Sequence, residues 1–427
     1  MGIKNNNRWI LVCLCAGVAA TAASVPATMV HAGESVKRPF GTIRTWLNVT
    51  DPRLRPLTES SLTKVGGRSY LPPRVTRQGL IPRVGISEEY NDNLFFRPDD
   101  KIADYVTTIA PGVHYSRRFD QGKIDLDYTL QSTIYARNDD LNDTFEAQTA
   151  NLAGSWQFNK RTGLEISENF ETFKDPTESA GINVLPRLGR IHQNIFKING
   201  SHDLDSASST YLHYTNFLTD YGDPVAISSV THEFTIGGQT RPGWKDSLGL
   251  DYRYTYYDTA EGTSLNADTV FGHYTHIFSE TLLVRGKLGV ARVRDEDSPV
   301  DPVGNLIIRA SRKYAILDIT FEQDLLSGTL GLGSVYLSRG VGGTLSGRLA
   351  KGLRLNTGVS YSNIKNQTGT NLDLRTLSAN AGLTYGLSRW LFLQLDYDYI
   401  RQKADQQNIV SKSNKVLFSV VASFPAR

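Results

Sequence analysis

The chain has 427 residues, with 46 Lys and Arg against 43 Asp and Glu and 40% hydrophobic residues. Charge this balanced, with no basic cluster interleaved with aromatics, argues against a nucleic-acid partner. Beyond residue 32 no run approaches 18 apolar residues, which excludes membrane helices but not membrane strands, whose signal is alternation at about ten residues per crossing.

The first 32 residues read as a secretory signal peptide. Lys4 and Arg8 supply a positive start, residues 9–23 an apolar stretch too short for a membrane helix, and Val30-His31-Ala32 a small-x-small cleavage site. Leu14 before Cys15 is wrong for a lipoprotein signal. Both cysteines, Cys13 and Cys15, lie in this leader, so the mature chain from Gly33 enters an oxidising compartment without a thiol and without disulfides. Residues 33–79 hold nine Lys and Arg against three Asp and Glu and keep no sustained period. They read as a periplasmic extension, or as a segment that docks on a periplasmic partner or plugs a lumen.

From residue 80 to the end, no linker or compositional break divides the chain. The expectation is one barrel domain over 80–427, built of hairpins. Strands are expected at 83–90, 104–117, 123–137, 146–158, 162–173, 190–203, 209–221, 230–241, 246–258, 265–278 and 281–294. After an expected loop at 295–305 they resume at 312–324, 329–339, 342–350, 353–364, 371–387, 390–402 and 412–424. Residues 123–137 show the rule best. Ile124, Leu126, Tyr128, Leu130 and Ile134 fall on one side, and Asp125, Asp127, Thr129, Gln131 and Thr133 on the other. The count is about eighteen, with sixteen as the alternative because Gly340-Val341 is short for an outer loop. Tight turns rich in Gly, Ser, Asn and Lys alternate with longer loops, as in membrane barrels with their short turns on the periplasmic side.

The last strand has one apolar face, Val416, Phe418, Val420, Ala422 and Phe424, and places an aromatic, Phe424, three residues before the end of the sequence. It resembles the targeting strand of bacterial outer-membrane barrels, and it must pair with the first strand to close a cylinder. In hydrocarbon every backbone N–H and C=O must be paired internally, which helices and closed barrels alone achieve. A soluble sandwich or propeller would also alternate. Soluble strands, however, average five or six residues, and these run longer. The 20 Tyr and 17 Phe, many near strand ends, suit the headgroup level. The fold class is therefore all-β: an antiparallel transmembrane β-barrel with a basic N-terminal extension.

One stretch carries a family likeness. It runs Gly85-Ile86-Ser87-Glu88-Glu89-Tyr90-Asn91-Asp92-Asn93-Leu94-Phe95 and resumes at Asp104-Tyr105-Val106-Thr107-Thr108-Ile109-Ala110-Pro111-Gly112. It resembles the opening hairpin of the outer-membrane β-barrel porin family associated with exopolysaccharide and exosortase gene clusters in Gram-negative bacteria. The resemblance implies an outer-membrane location after cleavage near Ala32 and a role in polysaccharide production or export.

The polar faces supply the candidate lumen lining: Asp125, Asp127, Glu165, Glu233, Asp251, Arg253, Arg285, Lys287, Arg354, Asp396 and Asp398. Their mixed signs would set a transverse field that selects by charge and size. Inward Tyr257 and Phe392 could stack on sugars or pack a lumen-filling segment. No H-E-x-x-H, G-x-S-x-G or P-loop occurs; His192 and His213 match a barrel hydrolase by residue type alone. The acidic pairs Asp99-Asp100 and Asp139-Asp140 and the run Asp295-Glu296-Asp297 suit Ca²⁺, bridged lipopolysaccharide or plain solvent. The chain is thus read as a non-enzymatic pore without cofactor or metal, for exopolysaccharide secretion. A non-conducting barrel that anchors a polysaccharide or surface assembly, and a general diffusion porin, are the alternatives. Expected partners are outer-membrane lipid and lipopolysaccharide, the barrel-assembly machinery, polysaccharide and periplasmic export components.

Overall fold

The computed structural model describes residues 79–173, 190–222, 228–262, 264–294, 299–327, 335–366, 373–388, 390–404 and 409–424. The leader, the extension at 33–78 and the acidic run at 295–297 lie outside them. Eighteen strands form one sheet. They are β1 (Gly79–Asn91), β2 (Asp104–Phe119), β3 (Gly122–Tyr135), β4 (Asp143–Gln157), β5 (Thr162–Phe173), β6 (Ile191–Asp203), β7 (Ser208–Tyr221), β8 (Ser229–Thr240) and β9 (Asp246–Thr259). They continue as β10 (Ser264–Ser279), β11 (Leu282–Val293), β12 (Val300–Arg312), β13 (Ala315–Ser327), β14 (Val335–Ala350), β15 (Leu353–Asn366), β16 (Asp373–Gly386), β17 (Leu391–Ala404) and β18 (Ile409–Ser423). Each strand pairs antiparallel with its neighbour in sequence, and β1 pairs with β18, so the sheet has no free edge. A 13-residue strand rising about 3.3 Å per residue and tilted about 40° spans roughly 33 Å, enough for a membrane barrel's apolar band of about 25 Å.

The strand count agrees with the sequence expectation through two errors that cancel. The stretch expected as a loop at 295–305 contains the start of β12, where Pro302 and Gly304 hide a strand beginning at Val300. Proline donates no ladder hydrogen bond and glycine carries no side chain to mark a face. Conversely, 329–339 and 342–350 are not two strands. Val335–Ala350 is one, running unbroken through Gly340, Gly342 and Gly343. Consequently 313–314 is a tight turn, and β13 runs on to Ser327 on the long-loop side.

The alternation sets which face is which. Along β18, Ser411, Ser413, Ser419 and Ser423 are buried inside, while Val416, Phe418 and Phe424 of the apolar set are exposed outside. Val420 and Ala422 share that outer face by register. At the short-turn rim the outer surface carries Phe158, Trp244, Phe278, Tyr385 and Trp390, and Trp390 stacks on Phe424. Toward the long loops it carries Tyr90, Tyr105, Tyr252, Tyr361 and Tyr397. Two aromatic belts flanking an apolar band are the physical signature of a lipid-facing wall. Tyr221, at the end of β7, is instead buried. The short turns close on themselves. In the turn at 204–207, Asp205 accepts backbone N–H bonds from Ala207 at 2.6 Å and Ser208 at 2.7 Å. These amides hold its carboxyl below the usual range.

The family-like hairpin occupies the seam where β1 meets β18. On the inner side, Ser413 Oγ donates to Asn91 Oδ1, which also accepts from the Asn93 backbone. Asn93 Nδ2 donates to the Lys412 carbonyl, and Lys415 stands 3.8 Å from Glu89. On the outer side, Asp92 accepts from both the backbone N–H and the side-chain amide of Asn414, at 2.7 and 2.6 Å. Asn414 in turn accepts from the Tyr397 hydroxyl on β17. The loop after β1 then turns inward, burying Phe96 against Ile400 of β17. Asp104, which opens β2, accepts from the backbone of Arg137 and Asn138 and ties down the loop after β3. These motif residues thus hold the cylinder closed.

Candidate functional site

Because side chains alternate, every polar residue set between outward apolar ones is directed into the barrel. All eleven candidate lining residues take the inner face. Six of them, Glu165, Glu233, Asp251, Arg253, Arg285 and Lys287, line one cavity of about 700 Å³ whose lining runs from the end of β2 round to β13. Asp125 and Asp127 on β3, Arg354 on β15, and Asp396 and Asp398 on β17 are not among its lining residues, although Lys123 of β3 is. Asp125 pairs with Lys123 at 2.5 Å, and Asp396 accepts from Gln394 at 2.6 Å. Arg354 is exposed near the short-turn rim.

Within the cavity the charges are paired across strands. Asp251 on β9 is 4% exposed. It takes Lys287 of β11 at 2.9 Å, His273 of β10 at 3.4 Å and the Tyr211 hydroxyl of β7. Tyr211 reaches it over Gly237 of β8, where a Cβ would collide with both the ring and the carboxylate. Arg253 makes a two-pronged bond to Asp324 of β13, at 2.9 and 2.5 Å, with Glu233 at 3.6 Å. Its guanidinium lies 4.9 Å from the Phe271 ring centre, and the Lys287 ammonium 4.0 Å from the same ring. Phe271 is a buried platform between two cations. Planar guanidinium–carboxylate pairs of this kind have fixed geometry, and in a low-dielectric wall they are costly to break. Beside them, Arg285 donates to Thr275 at 3.3 Å, and Arg309 pairs with Asp318 at 2.6 and 2.8 Å.

A second crossing lies on β1 to β3. Arg83, its side chain 4% exposed, passes over Gly112 of β2 to reach Asp127 and Thr129 of β3. A Cβ at Gly112 would stand 2.9 Å from the Arg83 Nε and 2.6 Å from the Tyr128 carbonyl. His114 adds a contact to Asp127 at 3.2 Å. Sequence reasoning missed Arg83, Tyr211, Phe271, His273 and Asp324. The available clue was glycine at the inner positions 112 and 237, each a gap that a neighbouring strand's long side chain fills.

The other sequence candidates separate. Tyr257 does face inward, but it is buried against Ala267 and Val293, so its ring is not offered to a sugar. His192 and His213 do not share a site. His192 contacts Thr172 on the outer wall, while His213 contacts Asn199 in the lumen. Asp99-Asp100 and Asp139-Asp140 lie in separate loops, and no metal-binding group of His, Cys, Asp and Glu occurs among the described residues.

No curated protein matches the chain. Its fold is similar to that of OccK2 (OpdF) from Pseudomonas aeruginosa, at 14% identity over 81% of this chain and 99% of that one, TM-score 0.45. It is also similar to OpdL from the same organism, at 11% identity over 81% and 98%, TM-score 0.44. The siderophore receptor PirA of P. aeruginosa is similar at 8% identity over 82% and 81%, TM-score 0.41. Residues 312–424, which span β13 to β18, match the family model described as "Putative beta-barrel porin 2". The chain is thus a closed β-barrel with a lipid-compatible outer wall and a polar lumen, similar over its last strands, β13 to β18, to that porin family.

Proposed function

We propose that the barrel is a pore through which an exopolysaccharide, or its fragments, leaves the periplasm. The observation that carries the pore reading is the lumen cavity of about 700 Å³ with charges of both signs fixed on adjacent strands. Fixed opposing charges orient and select a hydrated polar solute as it passes. The polysaccharide assignment is supported by the resemblance of the opening hairpin to porins associated with exopolysaccharide and exosortase gene clusters. In this reading the lining residues named above act as a selectivity surface, without covalent chemistry. Outer-membrane lipid surrounds the barrel, the barrel-assembly machinery inserts it, and periplasmic export components deliver the polymer.

Two experiments test this. Purified protein in planar bilayers is expected to conduct, and Arg253→Ala to raise single-channel conductance and shift selectivity toward cations. Asp324→Asn is expected to shift selectivity toward anions. A silent barrel defeats the pore and favours a structural anchor. In cells, deleting the gene is expected to abolish surface polysaccharide while polymer accumulates in the periplasm. Normal surface polymer, with lost uptake of small solutes, would instead make the protein a diffusion porin.

A further inference from the structure

The lumen wall does not treat its cations alike. Among the described residues of β9 to β13, inward Arg253 takes Asp324, Lys287 takes Asp251 and Arg309 takes Asp318. Arg285 of β11 lines the same cavity and takes no carboxylate among the described residues. Its Nε donates to Thr275 Oγ1 at 3.3 Å, and its two terminal NH2 groups have no acceptor there. The charge that bears on it is another cation, Arg309.

Strand register explains the isolation. The inner row through this residue reads Ser247, Thr275, Arg285, Ile307, Thr320 and Gly342 from β9 to β14. It offers hydroxyls and no carboxylate. The cavity's acidic groups serve other cations or stand far off. Glu233 and Glu322 both bear on Arg253. Glu165 is on β5, six strands from β11, about 29 Å along the wall at about 4.8 Å per strand. That is more than three screening lengths of about 8 Å at physiological salt.

A guanidinium stays charged at any physiological pH, and holding one in a protein wall without a counter-charge is unfavourable. An anion arriving through the lumen removes that penalty. The free edge of Arg285 is a planar fork, which a carboxylate matches with two parallel hydrogen bonds. Thr275 beside it and Asn305, which faces Lys287 in the next row, add a hydroxyl and an amide within the same lining. This is the equipment for a ring that carries hydroxyls and one carboxylate.

We infer that the lumen binds an acidic saccharide polymer and that Arg285 takes its carboxylates. A lone cation suits passage, because a site in a pore must bind well enough to admit the solute and weakly enough to release it. The inference rests on the polysaccharide reading proposed above and names the chemistry of the polymer.

The test is calorimetric titration of the full barrel in detergent with three probes: a short oligogalacturonate, its methyl ester and free galacturonate. The ester keeps the sugar chain and removes the charge. The acid oligomer is expected to bind about tenfold or more tightly than its ester, the weight of one charge-assisted contact. It is also expected to bind more tightly than the free sugar acid. Arg285→Gln is expected to erase the preference for acid over ester, and Arg285→Lys to keep part of it. Lys313→Gln, an equal charge change in the turn after β12, is expected to leave it intact. A wild-type barrel that binds acid and ester alike, or neither, overturns the site without requiring any variant to fold. So does an undiminished preference in Arg285→Gln. Equal affinity for free galacturonate overturns the polymer as its ligand. A barrel that is silent in planar bilayers but keeps the preference would defeat the pore and support the carboxylate site, so the two readings fail separately.

Discussion

Asp92→Ala is expected to lower the temperature at which the folded barrel converts to its unfolded, slower-migrating form in dodecyl sulfate gels. Asp92 binds Asn414 twice across the seam between first and last strands. Hydrogen bonds to a charged group contribute about 1.5–3 kcal/mol each, and partial exposure places these at the lower end, so the loss is roughly 3 kcal/mol. Position magnifies it. Any other pair of neighbouring strands is joined by a loop or turn, whereas β1 and β18 are held by their own pairing. Ser413→Ala removes one neutral bond to Asn91 and is expected to cost about 1 kcal/mol. Equal melting temperatures for Asp92→Ala and the unmodified barrel would show that the seam is held by its backbone ladder alone.

A comparable loss is expected from Asp127→Ala, read as the urea midpoint of the barrel reconstituted in lipid vesicles. The substitution strands the Arg83 guanidinium in a wall where its side chain is 4% exposed. Breaking a buried ion pair by removing one partner costs about 3–5 kcal/mol, chiefly through the unpaired charge left behind. Replacing both partners, as Arg83→Met with Asp127→Leu, should therefore recover most of the loss. Gly112→Val provides an independent check. Its side chain would occupy the path Arg83 takes over β2 and should destabilise with Asp127 still present. If the double replacement is as unstable as Asp127→Ala, packing rather than charge governs this corner.

The fold was legible because period-two alternation is local. Each residue of Lys123-Ile124-Asp125-Leu126-Asp127 declares its face from its immediate neighbours, so the barrel architecture followed from sequence. Alternation is silent where side chains are missing. Gly340, Gly342 and Gly343 made one strand look like two, and Pro302 with Gly304 made a strand look like a loop. The pairing within the lumen was not legible at all. Arg83 and Asp127 are 44 residues apart and Arg253 and Asp324 are 71 apart. Their meeting depends on strand register, shear and the glycines between them, none of which a single strand's pattern encodes. The family-like hairpin was visible as a motif, but its task of fastening β1 to β18 needed the last strand in place.

The seam also sets the order in which the molecule can form. Seventeen of the ladders zip between strands adjacent in sequence, whereas the eighteenth brings together residues 322 positions apart. Closing a flexible loop of that length costs about 5 kcal/mol of chain entropy before any contact offsets it. The cost falls as the intervening hairpins assemble and shorten the effective path, so the circle closes last. Until then both terminal strands present unsatisfied edges that invite pairing with other chains. The slow and vulnerable phase of folding is thus concentrated in one event, which cannot begin before β18 has been made.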